Sequence, residues 1–172
     1  LIDRRSFLGA SVGLLLWPSD LFARKLPESL TTALEESGFV YVSPLRADGA
    51  ESTCHGEVWY AWLDGAVVLN TRPQTWKARA LARGLDRARI WVGDHGRWKN
   101  ALGMRNEAFR KAPHFEARAE ISRDAALLER LLAAYEKKYP EEIADWRDKM
   151  RQGFHDGSRV LIRYVPDESA RT

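Results

Sequence analysis

The chain has 172 residues, 45% of them hydrophobic and 30% charged, and carries a net charge of +3. That length suits one domain with a sizeable core, and the balance excludes a disordered chain. The basic excess is spread without a block of like charges, so no dedicated nucleic-acid surface is expected. One cysteine, Cys54, excludes an intrachain disulfide and a cysteine-rich zinc centre.

At the N-terminus, LIDRRSFLGASVGLLLWPSDLFARK places Arg4 and Arg5 ahead of Phe7 and Leu8, and an apolar run follows to Trp17 before Pro18. The run falls short of the ~20 apolar residues that span a bilayer, so no stable membrane span is expected. A charged start and a short apolar stretch have the layout of a signal peptide. DRRSFLG is similar to the twin-arginine export motif, which implies residues 1–23 as an export signal and residues 24–172 as the folded domain. The protein is then expected in the periplasm or another extracytoplasmic compartment. Cleavage after Ala23 is one reading; Leu21 matches a small-residue site poorly, so a segment retained as an anchor is the other, and an amphipathic first helix of the fold is the alternative to a signal.

LPESLTTALEESG (26–38) reads as a short helix opened by Pro27 and stopped by Gly38. FVYVSPL (39–45) reads as a strand, Asp48–Gly49 as a turn, and TCHGEVWYAWL (53–63) as one long strand with a bulge at Gly56. Asp64–Gly65 is a hairpin signal, and AVVLNT (66–71) returns as a strand. A helix over 74–84, a strand over 88–94, an irregular basic stretch and a strand over 114–122 come next. RDAALLERLLAAYEKKY is amphipathic, with Leu127, Leu128, Leu131, Leu132 and Tyr135 on one side; a helix from Pro140 to a stop at Gly153 and a strand over 159–165 complete the chain. Six strands joined by tight turns, with few and late helices, predict an α+β antiparallel barrel rather than a doubly wound parallel sheet.

The ordered set RADG, VWYAW, DG, LNT, WKARAL and RIWVGD resembles the FMN-binding split β-barrel family of pyridoxamine 5'-phosphate oxidase-like and deazaflavin-dependent proteins. The resemblance is sharpest over residues 46–94. It implies a six-stranded antiparallel split β-barrel with peripheral helices, commonly a homodimer, holding FMN or a deazaflavin and transferring electrons to a small organic substrate. Lys77 and Arg79 match the basic positions at the cofactor phosphate, and Thr71 and Thr75 match the hydroxyl donors. Trp59 and Tyr60 fall on the strand that passes the flavin ring, Trp76 covers the site, and Arg46 precedes the turn where the family often has a basic residue. Glu57 stands where the family usually has Pro, and Ala80 where it often has Asn, so FMN and deazaflavin both stay open.

Each of these residues also has a plainer reading: a solvated basic helix face for Lys77 and Arg79, and core positions for Trp59, Trp62 and Trp91. No Ser/His/Asp or paired-carboxylate arrangement stands out, so catalytic residues stay unassigned; a flavin carries its own hydride chemistry. Cys54 and His55 are strand neighbours that point to opposite faces, which argues against their sharing a metal, and Cys54 is expected to be buried. Some split barrels bind haem, for which His55, His95 and His114 are the candidate axial ligands. A third reading is an interaction domain whose basic loop, residues 97–111, meets an acidic partner.

Overall fold

A computed structural model describes residues 26–99 and 102–167. The segment 1–23 read as an export signal lies outside them. Helix α1 (Glu28–Glu36) leads into β1 (Val40–Pro44), β2 (Gly56–Val58), β3 (Ala61–Leu63) and β4 (Ala66–Thr71). Helix α2 (Trp76–Ala82), β5 (Arg87–Val92), β6 (His114–Ser122), α3 (Ala125–Lys138), α4 (Arg147–Asp156) and β7 (Val160–Pro166) follow. The strands form one antiparallel sheet in the order β2-β1-β5-β6-β7-β4-β3.

The sheet has seven strands where the sequence predicts six. The long strand over 53–63 is the cause. It breaks at Trp59–Tyr60, and its halves pair with opposite edges: β2 with β1 (Val40 opposite Val58) and β3 with β4 (Ala61 opposite Val68). Two consecutive pieces of chain therefore occupy both ends of the strand order, which curls the sheet toward closure.

Local chemistry sets the remaining elements. Asp64 and Gly65 both adopt positive φ (50° and 70°), as a two-residue hairpin turn between β3 and β4 demands. Asp124 caps α3 by accepting from the N–H groups of Ala126 (2.8 Å) and Leu127 (3.3 Å). Strand β4 is apolar on both faces because both are covered. Val67 and Leu69 join Val40, Ile90, Ile162 and Tyr164 inside the curl, while Ala66 and Val68 meet Leu128, Leu131 and Leu132 of α3.

Gly153 is not the predicted helix stop. It is buried within α4, which ends at Gly157 (φ 81°), and a 3-10 turn at Ile143–Asp145 precedes the helix. Cys54 is exposed rather than buried, while its neighbour His55 is buried, so the two do face opposite ways.

Candidate functional site

Two clefts, each of about 320 Å³, open beside the break in the long strand, and Val58 and Trp59 line both. The register Thr71 opposite Val160 brings the end of β4 beside the start of β7. Asn70 and Thr71 from β4, Lys77 from the first turn of α2, and Arg159 from the turn before β7 thereby meet in one cleft. Trp146 and Met150 of the α3–α4 corner and Tyr135 of α3 wall its other side. Arg159 donates to Asn70 Oδ1 (2.9 Å), and its guanidinium lies 5.5 Å from the centre of the Trp146 ring.

Gly153 makes that approach possible. A Cβ there would stand 2.8 Å from both Cγ and Cδ of Arg159, so any larger residue displaces the stem that carries the guanidinium to the cleft. The Gly153 carbonyl accepts the Arg159 N–H (2.7 Å), fixing the turn.

The electrostatics of this cleft are one-sided. Burial pushes the Lys77 ammonium below its ordinary value, and Glu57 offsets this only in part. Burial, followed by the charge of Arg72, also lowers Arg159. Among the described residues neither cation has a carboxylate partner within ion-pair distance, whereas most other arginines do. Asn70 Nδ2 is buried without an acceptor, because Asn70 Oδ1 is held by Arg159. Thr75 donates to the Arg72 carbonyl (2.9 Å), so Thr71 Oγ1 donates to Thr75 Oγ1 (3.2 Å). Two cations and an idle amide donor against an apolar wall are groups whose chemistry suits an anion attached to a ring or chain.

The second cleft has the opposite character. Glu57 and Asp94 line it with Phe39, Tyr41 and Arg97. Glu57 Oε2 accepts the Trp98 N–H (3.0 Å), and the Tyr41 hydroxyl accepts the His95 N–H (2.9 Å) and donates to the Gly96 carbonyl (2.5 Å).

The residues singled out from sequence therefore divide. Trp59, Thr71 and Lys77 line the basic cleft, and Thr75 adjoins it through Thr71. Tyr60 is fully buried in the core, with its hydroxyl donating to the Leu34 carbonyl (2.6 Å). Trp76 packs against the core, 3.2 Å from where a Cβ on Gly56 would sit. Arg79 lies about 200° around the helix from Lys77 and is exposed. Arg46 is exposed and pairs with Asp48 of its own turn (2.9 Å). Arg159, Asn70 and Trp146 were not singled out. The signal for Arg159 was its place just before the last strand, but only the β4–β7 register shows which strand end it joins.

His55 and Ser43 lie 2.6 Å apart but do not form a nucleophile and base. Arg110 donates to His55 Nε2 (3.2 Å), so the proton sits on Nδ1 and is donated to Ser43 Oγ.

The fold recurs among solved structures. A conserved hypothetical protein from Mycobacterium tuberculosis matches with a TM-score of 0.57 at 21% identity, over 84% of this chain and 82% of its own. HutZ, the haem storage protein from Vibrio cholerae, matches with 0.55 at 15% identity, over 85% and 93%. A candidate pyridoxamine 5'-phosphate oxidase from Listeria innocua gives 0.52 at 14% identity, over 81% and 92%. These likenesses define the class of fold alone, an antiparallel split barrel. No protein-family model matches the chain, and no curated protein matches it.

Proposed function

We propose that the basic cleft holds the phosphate-bearing tail of a flavin-type cofactor, FMN or a deazaflavin, and that the protein is an oxidoreductase acting on a small organic substrate. The observation that carries this reading is the convergence of Lys77, Arg159 and the Asn70 amide with no carboxylate in ion-pair distance among the described residues. Lys77 supplies a point charge and Arg159 a planar fork, the two forms of cation that suit a phosphate. Trp59 stands at the boundary of the two clefts, where a planar ring finds an aromatic neighbour. A cleft of about 320 Å³ is at the small end for a cofactor site, so the second cleft sharing Trp59 is the room available to the rest of the ligand. Such a cofactor, when bound, supplies hydride or electron transfer; the chain binds it, orients it and keeps water from its tail. Export by the twin-arginine route and a homodimeric assembly belong to the same proposal.

The test is a titration of the purified protein with FMN and with a deazaflavin, followed by absorbance and fluorescence. Wild type takes up one of them, and Lys77→Ala combined with Arg159→Ala weakens uptake by about 100-fold or more while circular dichroism stays unchanged. A wild type that takes up neither overturns the reading. Uptake of haem in their place, seen as a Soret band, replaces it with a haem-binding function; no histidine lines either cleft among the described residues, so the ligand would have to come from elsewhere.

A further inference from the structure

We propose that the second cleft is a binding site for a small organic cation, an amine carried on an apolar body. Glu57 on β2 lies directly opposite Tyr41 on β1, so their side chains share one face of the sheet. Asp94, just past β5, converges on the same place. Burial above all raises the Tyr41 hydroxyl above its ordinary value; the His95 N–H opposes this, and the charges of Asp94 and Glu57 both add to it. Each carboxylate is positioned through one oxygen. Glu57 Oε2 accepts the Trp98 N–H (3.0 Å), and Asp94 Oδ1 accepts the Gly96 N–H (3.2 Å). The second oxygen of each makes no hydrogen bond, and neither group forms an ion pair, among the described residues.

The walls are aromatic. Phe39, Tyr41 and Trp59 line the cleft with Val58. Tyr41 stacks on Phe109 and Trp59 on Tyr139, each pair with ring centres 4.7 Å apart, so both cleft rings are backed by a second ring. Rings attract a cation electrostatically while burying its apolar body, and the two carboxylates neutralise its charge. A bare metal ion is a poorer occupant. Two carboxylates supply few of the oxygens it needs, and no group of three or more His, Cys, Asp or Glu suited to a metal occurs among the described residues. Asp94, Gly96 and Arg97 are exposed and line only this cleft, so they form its mouth; Val58 and Trp59 mark the end shared with the basic cleft. A cation entering there approaches whatever lies against Trp59. Its role as the substrate class of the oxidoreductase rests on the reading of the basic cleft as a cofactor site, whereas its binding does not.

Calorimetric titration of the ligand-free full chain with benzylamine tests this, with benzyl alcohol and benzoate as neutral and anionic counterparts. Near neutral pH, where the amine is charged, benzylamine should bind about tenfold or more tightly than either counterpart. Glu57→Gln and Asp94→Asn should each weaken it by about tenfold. Both amides keep an oxygen for the backbone N–H they now hold, so both variants keep the wild-type circular dichroism spectrum. Arg97→Gln removes a like charge from the mouth and should strengthen benzylamine binding by about threefold. Lys77→Ala combined with Arg159→Ala, the pair that weakens cofactor uptake, should leave benzylamine binding within about threefold of wild type, so the two sites fail independently. Benzylamine binding in a protein that takes up neither FMN nor a deazaflavin would uphold the cation site and remove only its role in turnover. Absence of benzylamine binding, equal binding of benzyl alcohol, or binding that neither carboxylate variant weakens overturns the proposal.

Discussion

Lys77 is a cation that the fold half-buries without an ion-pair partner, Glu57 acting on it only from a distance. Its neighbours explain why it was legible in the sequence and Arg159 was not. A lysine one turn after a strand ending in Thr is a local pattern, whereas the partnership of Arg159 with Asn70 depends on which strands pair. Burial depresses the Lys77 ammonium, so the cost of charging it is present at neutral pH, where the unfolded chain carries the charge freely. Lys77→Met keeps the length of the stem and removes that cost. In ligand-free protein the variant should hold its stability or gain about 1 kcal/mol in urea unfolding, while losing anion affinity. A loss of stability greater than that would mean Lys77 serves the fold rather than a ligand.

The break in the long strand is the element-scale feature that pattern reading passes over. Alternation predicts one strand through residues 53–63, and nothing local announces an interruption at Trp59–Tyr60. The cause comes from the end of α3. Tyr139 stacks on Trp59 with ring centres 4.7 Å apart, and its hydroxyl accepts the Tyr60 N–H (3.1 Å) while donating to the Gly38 carbonyl (2.7 Å). One side-chain hydroxyl thus takes the place of a sheet partner where the chain passes from one edge to the other. Tyr139→Phe keeps the stacking and removes the hydroxyl, leaving a buried N–H and a carbonyl unmet. It should cost about 1–3 kcal/mol in urea unfolding. If Trp59 dominates the protein's fluorescence change on ligand addition, that change should shrink as the boundary between the clefts loosens. A Tyr139→Phe variant with wild-type stability would show that other groups hold the break.

At the scale of the molecule, the order of strands and helices was enough to expect an antiparallel α+β barrel, because tight turns dictate local pairing; its split form came only from the family resemblance. The means by which distant loops are tied to the barrel was not legible, since it is a charge network with partners far apart in sequence. Arg110 contacts Glu107 and Glu51 (2.8 Å), Glu51 contacts Arg89 (2.9 Å), and Glu116 joins Arg89 (2.8 Å) to Arg87 (2.6 Å). His55 plugs into the loop end of this network, buried between Ser43 and Arg110 beneath Trp98. Burial, then the charge of Arg110, holds the imidazole below its ordinary value, with Glu51 and Glu107 opposing and Arg105 adding to the depression. The unfolded chain therefore takes up this proton first as pH drops below about 6.5, and stability falls from there through the lower folded-state value. Protonation would also set an Nε2–H against the Arg110 guanidinium, loosening the 3-10 turn at Ala108–Lys111 that carries Arg110. Urea midpoints should decline as pH is lowered from about 7.5 to 5.5, and His55→Gln, which does not titrate, should flatten that decline. An equal slope in wild type and His55→Gln would assign the acid sensitivity to other groups and leave His55 as packing alone.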